Sequence, residues 1–157
     1  MKYLLTAFAV VAMLGSGAAY AAGSSSTTTT FSATSAFPKA KKLVDARNFT
    51  AAIPLLKKIV KSQPKNADAW NLLAFSNRKL QKFDVALQQY QKALQIQPTH
   101  KGANEYLGEL YLKVGDLPKA QERLTVLNDM CTHGFVGCEE YNELKEKVAK
   151  FIASKGS

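Results

Sequence analysis

Residues 70–98 read WNLLAFSNRKLQKFDVALQQYQKALQIQP, and this stretch decides the fold of the chain. Apolar and small residues recur there at the steps of three and four that are typical of helices, from Trp70 to Asn77 and again from Ala86 to Tyr90, before Pro98. Key positions recur at a fixed interval: Phe49, Phe83 and Leu117 are each 34 residues apart, as are Ala52, Ala86 and Ala120. A fixed period of this length predicts helix pairs stacked into a solenoid.

Three copies of the pattern occupy residues 33–66, 67–100 and 101–134. The flanking copies match the middle one at Ala40, Leu43, Ala52, Leu56 and Pro64, and at Leu107, Gly108, Tyr111, Ala120 and Leu124. This pattern resembles the tetratricopeptide repeat. The resemblance implies an all-α fold, a right-handed α-solenoid of three antiparallel helix pairs. Small residues at Ala74, Ala86, Gly108 and Ala120 would let the paired helices approach closely.

The ends of the repeats carry further helix signals. Asn66, Thr50 and Asp84 are candidate N-caps of three of the repeat helices. After the third repeat, residues 138–153 have apolar side chains at steps of three and four: Tyr141, Leu144, Val148, Phe151 and Ile152. The opposite face is charged, so we expect an amphipathic helix that caps the open end of the solenoid.

The N-terminal residues carry the pattern of a targeting segment. Lys2, an apolar run and small residues around Tyr20 predict a secretory signal peptide at residues 1–21, cleaved after Ala21. The apolar run is too short for a membrane-spanning helix, which needs about 20 residues. Ser and Thr dominate the following segment, and we expect residues 22–36 to be a disordered linker before a folded domain at residues 37–153. A periplasmic location is the natural expectation.

The formal net charge of +9 is unevenly distributed. Residues 39–101 contain thirteen Lys or Arg against three Asp, whereas residues 102–157 contain seven Lys or Arg against nine Asp or Glu. The excess is explained either by a solvated surface or by attraction to an acidic partner or an anionic envelope component near the first two repeats. A nucleic acid partner is not expected, because no recognition motif is present and an exported protein rarely meets one.

Two cysteines, Cys131 and Cys138, flank the segment between the last repeat and the capping helix. In an oxidising compartment an isolated pair this close in sequence is expected to form a disulfide. Two alternatives remain open: a small metal site completed by His133, or a redox-active dithiol. The spacing matches neither structural zinc motifs nor the thioredoxin motif.

The sequence lacks the motifs of common catalytic sites. It contains no glycine-rich phosphate loop, no nucleophile turn and no metal-binding histidine pair. We therefore expect a protein that is not an enzyme and that needs no cofactor or metal.

The family resemblance implies a scaffold that binds a peptide segment or a partner protein in the concave groove formed by the first helix of each repeat. The groove positions, carried over residue by residue, are Phe37, Lys41, Asn71, Phe75, Arg78, Glu105, Tyr106 and Glu109. Their charges suggest a ligand with an acidic and a basic end. Alternative functions are a self-associating structural protein of the cell envelope and, less favoured, metal or redox handling by Cys131, His133 and Cys138.

Overall fold

The computed structural model describes residues 32–132 and 138–155 of the 157-residue chain. These residues form helices and turns without any strand. The helices are α1 (Ala33–Asp45), α2 (Phe49–Ser62), α3 (Ala67–Lys79), α4 (Phe83–Ile96), α5 (Lys101–Lys113), α6 (Leu117–Thr132) and α7 (Glu139–Lys155). The first helices of the three pairs begin at intervals of 34 residues, and so do the second helices. The predicted all-α architecture, three helix pairs and a capping helix, is confirmed.

The contacts between helices show which side of the solenoid is concave. Each helix packs against the next in sequence from α1 to α7, and α1 also contacts α3, α3 contacts α5, and α5 contacts α7. Among the described residues no contact joins α2 to α4 or α4 to α6. The odd-numbered helices are therefore closer together than the even-numbered ones, and they line the inner, concave face.

Two apolar clusters form the interior and meet at α3. One surrounds Leu56 and Ile59 between the first helix pair and α3, and the other surrounds Tyr90 and Leu107 between α3 and the C-terminal helix. Both clusters include partly buried Trp70 and Phe75 at their edges. The predicted close approach at small residues is confirmed, because Ala74, Ala86 and Ala120 have no exposed surface and Gly108 is buried. The continuous interior is what lets short helix pairs stabilise one another.

The same turn joins the helices of every pair. Arg47, Gln81 and Gly115 follow the first helices with φ of 58°, 61° and 85°, in the left-handed region. In each turn the next residue donates its backbone N–H to the carbonyl five residues back, for example Lys82 to Asn77, which is the Schellman pattern. Glycine is the usual residue at the left-handed position, and only the third turn has it.

Side-chain caps fix where several helices begin. Asn66 accepts a hydrogen bond from the backbone N–H of Ala69 at 2.9 Å, which confirms its predicted capping role. At the equivalent position one repeat later, His100 Nδ1 accepts from the N–H of Ala103 at 3.1 Å. The predictions for Thr50 and Asp84 were wrong, because α2 and α4 begin one residue before them. Asn48 caps α2 instead, and Lys82 precedes α4 without a side-chain cap.

The N-terminal boundary of the fold differs from the prediction. α1 begins at Ala33 rather than near Phe37, because Ala33 is buried against the first apolar cluster. The last residues of the predicted linker are therefore helical. The predicted signal peptide and the rest of the linker lie outside the described residues. No described helix has both the length and the apolar character needed to cross a membrane.

Candidate functional site

An open cavity of about 450 Å³ lies on the concave face between α1, α3 and α5. We call it the aromatic cavity, because three rings form much of its wall. Phe75 stands in the centre, with its ring centroid 4.9 Å from that of Tyr106 and 6.0 Å from that of Phe49. The other lining residues are Lys41, Val44, Asp45, Arg47, Asn71, Leu72, Lys79 and Gly102. Offset and edge-on ring contacts at these distances hold the wall rigid.

Polar groups surround the rings of the aromatic cavity. Asn71 is 7% exposed, and its Oδ1 has no hydrogen-bond partner among the described residues. Lys41 forms an ion pair with Asp45 at 2.8 Å, whereas Lys79 places its ammonium 5.0 Å from the centre of the Phe75 ring. A buried acceptor without a partner costs free energy unless a ligand or a water satisfies it. The cavity therefore offers an apolar surface, and the side chain of Asn71 lies beside it.

A network of charged side chains ties α3, α5 and α7 together beside this cavity. Arg78 of α3 donates to Glu109 of α5, and Lys147 of α7 donates to the same carboxylate. Lys147 also lies 3.5 Å from Glu105 and 3.1 Å from Glu143. The Arg78 guanidinium is 5.4 Å from the ring centres of both Phe75 and Tyr106, which adds cation–π attraction. The network fixes the position of the aromatic wall relative to the capping helix.

The carboxyl groups of this network do not share one protonation behaviour. Burial, together with the nearby carboxylates Glu143 and Glu109, raises the pKa of Glu105 to about 8. For Glu109 burial also favours the neutral form, but Arg78 and Lys147 outweigh it and lower the pKa. Three carboxylates and two cations leave the cluster one negative charge in excess. A proton held on Glu105 removes that excess.

The same carboxylates are the described residues best placed to hold a metal ion. Ligand atoms of Glu105, Glu109 and Glu143 lie within 4.8 Å of one another. The Lys147 ammonium already contacts all three, so it occupies the position that a cation would take. This cluster is therefore an internal ion-pair network of the fold.

A second open cavity, of about 660 Å³, lies between α3, α5 and α7. We call it the cap cavity. Its lining residues are Arg78, Lys79, Gln81, Phe83, Glu109, Leu112, Lys113, Lys147, Lys150, Phe151 and Ser154. Lys79 lines both cavities, which makes it the residue they share.

The structure distributes the eight predicted groove residues over several environments. Lys41, Asn71, Phe75 and Tyr106 line the aromatic cavity, and Arg78 and Glu109 line the cap cavity. Phe37 packs on the first apolar cluster and lines neither cavity. Glu105 is only 4% exposed and faces Lys147, so it cannot contact a partner while α7 is in place. That these residues bind a partner stays a prediction.

Sequence reasoning missed several residues that line the aromatic cavity. Arg47 and Phe49 enter from the turn after α1 and from the start of α2, although the prediction used only first helices. Gly102 leaves room beside Asn71, since an added Cβ there would lie 3.4 Å from Asn71 Nδ2. For Arg47 the missing signal was the turn geometry, because a side chain in the left-handed conformation leaves the helix in a direction that helical periodicity does not give.

The two cysteines form a disulfide that joins α6 to the start of α7. Cys131 and Cys138 have Cα atoms 5.7 Å apart, within the ordinary range for such a bond. The predicted pairing is confirmed. His133, the third member of the alternative metal site, lies outside the described residues.

Comparison with known families identifies the repeat. Two family models, each described as a tetratricopeptide repeat, match residues 37–101 and residues 77–129, and together they span more than half of the chain. The chain belongs to the tetratricopeptide repeat family. No curated protein matches this tetratricopeptide repeat chain significantly.

Solved structures of other tetratricopeptide repeat proteins share the fold. The TPR2B domain of yeast Sti1, in a complex with pHsp70, is 20% identical with a TM-score of 0.67 over 75% of this chain and 96% of that one. The first TPR of Spaghetti (RPAP3), bound to the HSP90 peptide SRMEEVD, is 21% identical with a TM-score of 0.65 over 77% and 93%. PcrH, in complex with the chaperone binding region of PopD, is 14% identical with a TM-score of 0.70 over 78% and 92%. At these identities the likeness concerns the fold.

Proposed function

We propose that this chain is an exported scaffold protein that binds a segment of a partner protein in the aromatic cavity of its concave face. The observation that carries the proposal is an open cavity on the concave face, whose wall is formed by the partly buried rings of Phe75 and Tyr106 with the side chain of Asn71 beside them. Apolar rings next to an amide group suit a polypeptide, which brings both an apolar side chain and polar backbone groups. Binding would cover the rings.

The similar structures support a polypeptide as the ligand. The first is in a complex with pHsp70, the second is bound to an HSP90 peptide, and the third is in complex with the chaperone binding region of PopD. The partner would gain most of its affinity from the aromatic wall, while Lys41 and Arg47 at the rim would orient it.

A plugging substitution tests the aromatic cavity without removing its walls. Gly102→Met would place a long side chain between Asn71 and Tyr106, since a Cβ at residue 102 already approaches both. Gln88→Met is the matched control, because it adds the same side chain at an exposed position of α4 on the convex side. Both variants and the wild type would be used to capture cross-linked partners from envelope extracts of the native cell, and the captured chains identified by mass spectrometry.

We expect the wild type and Gln88→Met to capture the same partner and Gly102→Met to lose at least about 90% of it. Equal capture by all three proteins would overturn the proposed site. Circular dichroism verifies that each variant is folded. Sedimentation of the purified wild type separates the scaffold from the self-associating alternative, because a scaffold is expected to be monomeric without its partner.

The proposed export to the periplasm rests on the signal-like residues 1–21 and on the disulfide, which suits an oxidising compartment. Fractionation of the native cell and N-terminal sequencing test it. We expect a mature protein that begins at Ala22 in the periplasmic fraction. An uncleaved chain in the cytoplasmic fraction would contradict the proposal.

A further inference from the structure

The cap cavity has an unbalanced charge. Five of its lining residues are cations, namely Arg78, Lys79, Lys113, Lys147 and Lys150, and Glu109 is the carboxylate among them. Arg78 and Lys147 share Glu109, and Lys150 donates to Glu146 of its own helix. Lys79 and Lys113 form no ion pair with any residue that the structure describes. Two exposed ammonium groups at this cavity therefore lack a counter-charge.

The electrostatic environment of Lys79 also favours an anionic ligand. Burial lowers the pKa of Lys79, and the adjacent guanidinium of Arg78 lowers it further. Glu109 partly opposes this by raising the pKa, and Arg47 and Lys147 lower it by smaller amounts. A cation held next to other cations is stabilised by any anion that approaches it. Lys79 lines both cavities, so a single bound chain that entered both of them would contact this cation.

The cap cavity also has an apolar wall. Phe83 at the start of α4, Leu112 near the end of α5 and Phe151 on α7 are partly exposed within it. Gln81 lines the same cavity from the left-handed turn position with φ of 61°. An occupant would therefore need apolar groups and negative charges within a short distance of each other.

We propose that the cap cavity binds an acidic and apolar internal segment of the partner protein, with Asp or Glu side chains on Lys79 and Lys113 and a Leu or Phe side chain against Phe83, Leu112 and Phe151. This inference rests on the proposed function, because it assigns a chemistry to the part of the partner that extends beyond the aromatic cavity. A polypeptide suits the site better than a membrane surface, because Phe83, Leu112 and Phe151 are partly buried while Lys79 and Lys113 are exposed beside them. Its charge specificity would reside in two lysines that form no ion pair within the part of the fold that the structure describes.

A peptide selection tests this chemistry without knowledge of the natural partner. Phage-displayed random dodecapeptides are selected on the oxidised wild-type protein at low salt, and the recovered sequences are synthesised with both ends blocked. Calorimetry then measures their affinity for the wild type and for Lys79→Gln/Lys113→Gln. Lys57→Gln/Lys61→Gln is the matched control, because it removes the same charge from exposed positions of α2.

We expect the recovered peptides to be enriched in Asp and Glu next to Leu or Phe. We also expect Lys79→Gln/Lys113→Gln to weaken their binding at least tenfold, and Lys57→Gln/Lys61→Gln to change it less than twofold. Blocked ends exclude recognition of a terminal carboxylate. Recovery without acidic enrichment, a selection that returns no binder, or equal affinity for both double variants would overturn the inference.

Two further measurements separate the possible failures. If Gly102→Met abolishes partner capture and Lys79→Gln/Lys113→Gln does not alter it, the aromatic site stands and the cap cavity inference fails. If neither alters capture, both fail. The second measurement uses vesicles that contain phosphatidylglycerol. Loss of vesicle binding in Lys79→Gln/Lys113→Gln, with peptide binding unchanged, would assign the lysines to a membrane surface and overturn the peptide inference.

Discussion

Leu144 of the capping helix lies directly against Gly108 of α5. A Cβ added at residue 108 would come within 2.5 Å of Leu144 Cδ2 and 2.8 Å of Cδ1. Leu144 has no exposed surface, so it cannot move aside without disturbing the apolar cluster around it. The absence of a side chain at residue 108 is therefore what allows α7 to seal the third repeat.

The first prediction follows from this contact. Gly108→Ala is expected to lower the free energy of unfolding by about 1 to 3 kcal/mol, because overpacking outweighs the gain in helix propensity. Gly102→Ala is the control in the same helix, since its Cβ would meet no atom closer than 3.4 Å. It should be neutral or stabilising in urea denaturation. Equal stabilities of the two variants would show that α7 adjusts freely.

The second prediction concerns Lys147, whose ammonium contacts Glu105, Glu109 and Glu143. Lys147→Met leaves the buried Glu105 without a cation and Glu109 with Arg78 alone, and it is expected to cost about 2 kcal/mol. This is less than for a fully buried pair, because 40% of the Lys147 side chain is exposed. Lys150→Met, which removes an exposed pair with Glu146, should cost less than about 1 kcal/mol. Comparable losses in urea denaturation would mean that the network is not a stabilising unit.

The third prediction is a dependence of stability on pH. The pKa of Glu105 is about 8 in the folded chain and near the ordinary glutamate value of 4.5 in the unfolded chain. Between these values the folded state holds more protons, so this group's contribution is fully present below pH 4.5 and is lost as the pH rises towards 8. Glu109 acts oppositely, since its lowered pKa makes stability fall below pH 4.5.

Urea denaturation at several pH values measures this dependence. We expect the unfolding free energy of the wild type to fall by about 1 kcal/mol per pH unit from pH 6 to 8. Three charged groups face Glu105: Glu109 on its own helix, and Glu143 and Lys147 on α7. Arg78 on α3 lies beyond Glu109. Glu105→Gln should flatten the slope. A wild-type slope that persists in Glu105→Gln would assign the titration to another group.

The fourth prediction concerns the disulfide between Cys131 and Cys138. Cys131→Ser/Cys138→Ser is expected to lower stability by about 2 to 3 kcal/mol, because the crosslink removes conformational freedom from the unfolded chain. Hydrogen exchange should rise first in α7, which the bond joins to α6. Alkylation of protein purified from the native cell checks the bond itself. Uptake of two alkyl groups before reduction would instead favour the metal or redox reading.

Much of the fold could be predicted because periodicity is a property of the sequence. The 34-residue interval between Phe49, Phe83 and Leu117 located the second helices, and it did so because the interior repeats with the chain. The capping helix was predictable for a similar reason, since Leu144 and Val148 lie on one helical face. Such predictions depend on spacing along one helix, which folding does not alter.

The site was less predictable because its properties arise between helices. Glu105 and Glu109 were expected to face a ligand, but α7 brings Lys147 across them and covers Glu105. Arg78 was expected to be available, but it is held by Glu109, whose position depends on the stacking of α5 on α3. The spacing of residues within one repeat does not reveal an ion-pair partner that lies in another repeat or in the capping helix. The expected ligand with an acidic and a basic end was inferred from charged side chains that form ion pairs within the folded chain.

The left-handed turn positions have a consequence for how recognition could diversify. Arg47 reaches the aromatic cavity and Gln81 the cap cavity, yet both belong to connections between helices rather than to the repeating interior. Gly115 shows that the same connection forms with no side chain at all. Binding preference could therefore be rewritten at these junctions one residue at a time while every helix keeps its packing. A library limited to residues 47 and 81 would sample new specificities on an unchanged framework.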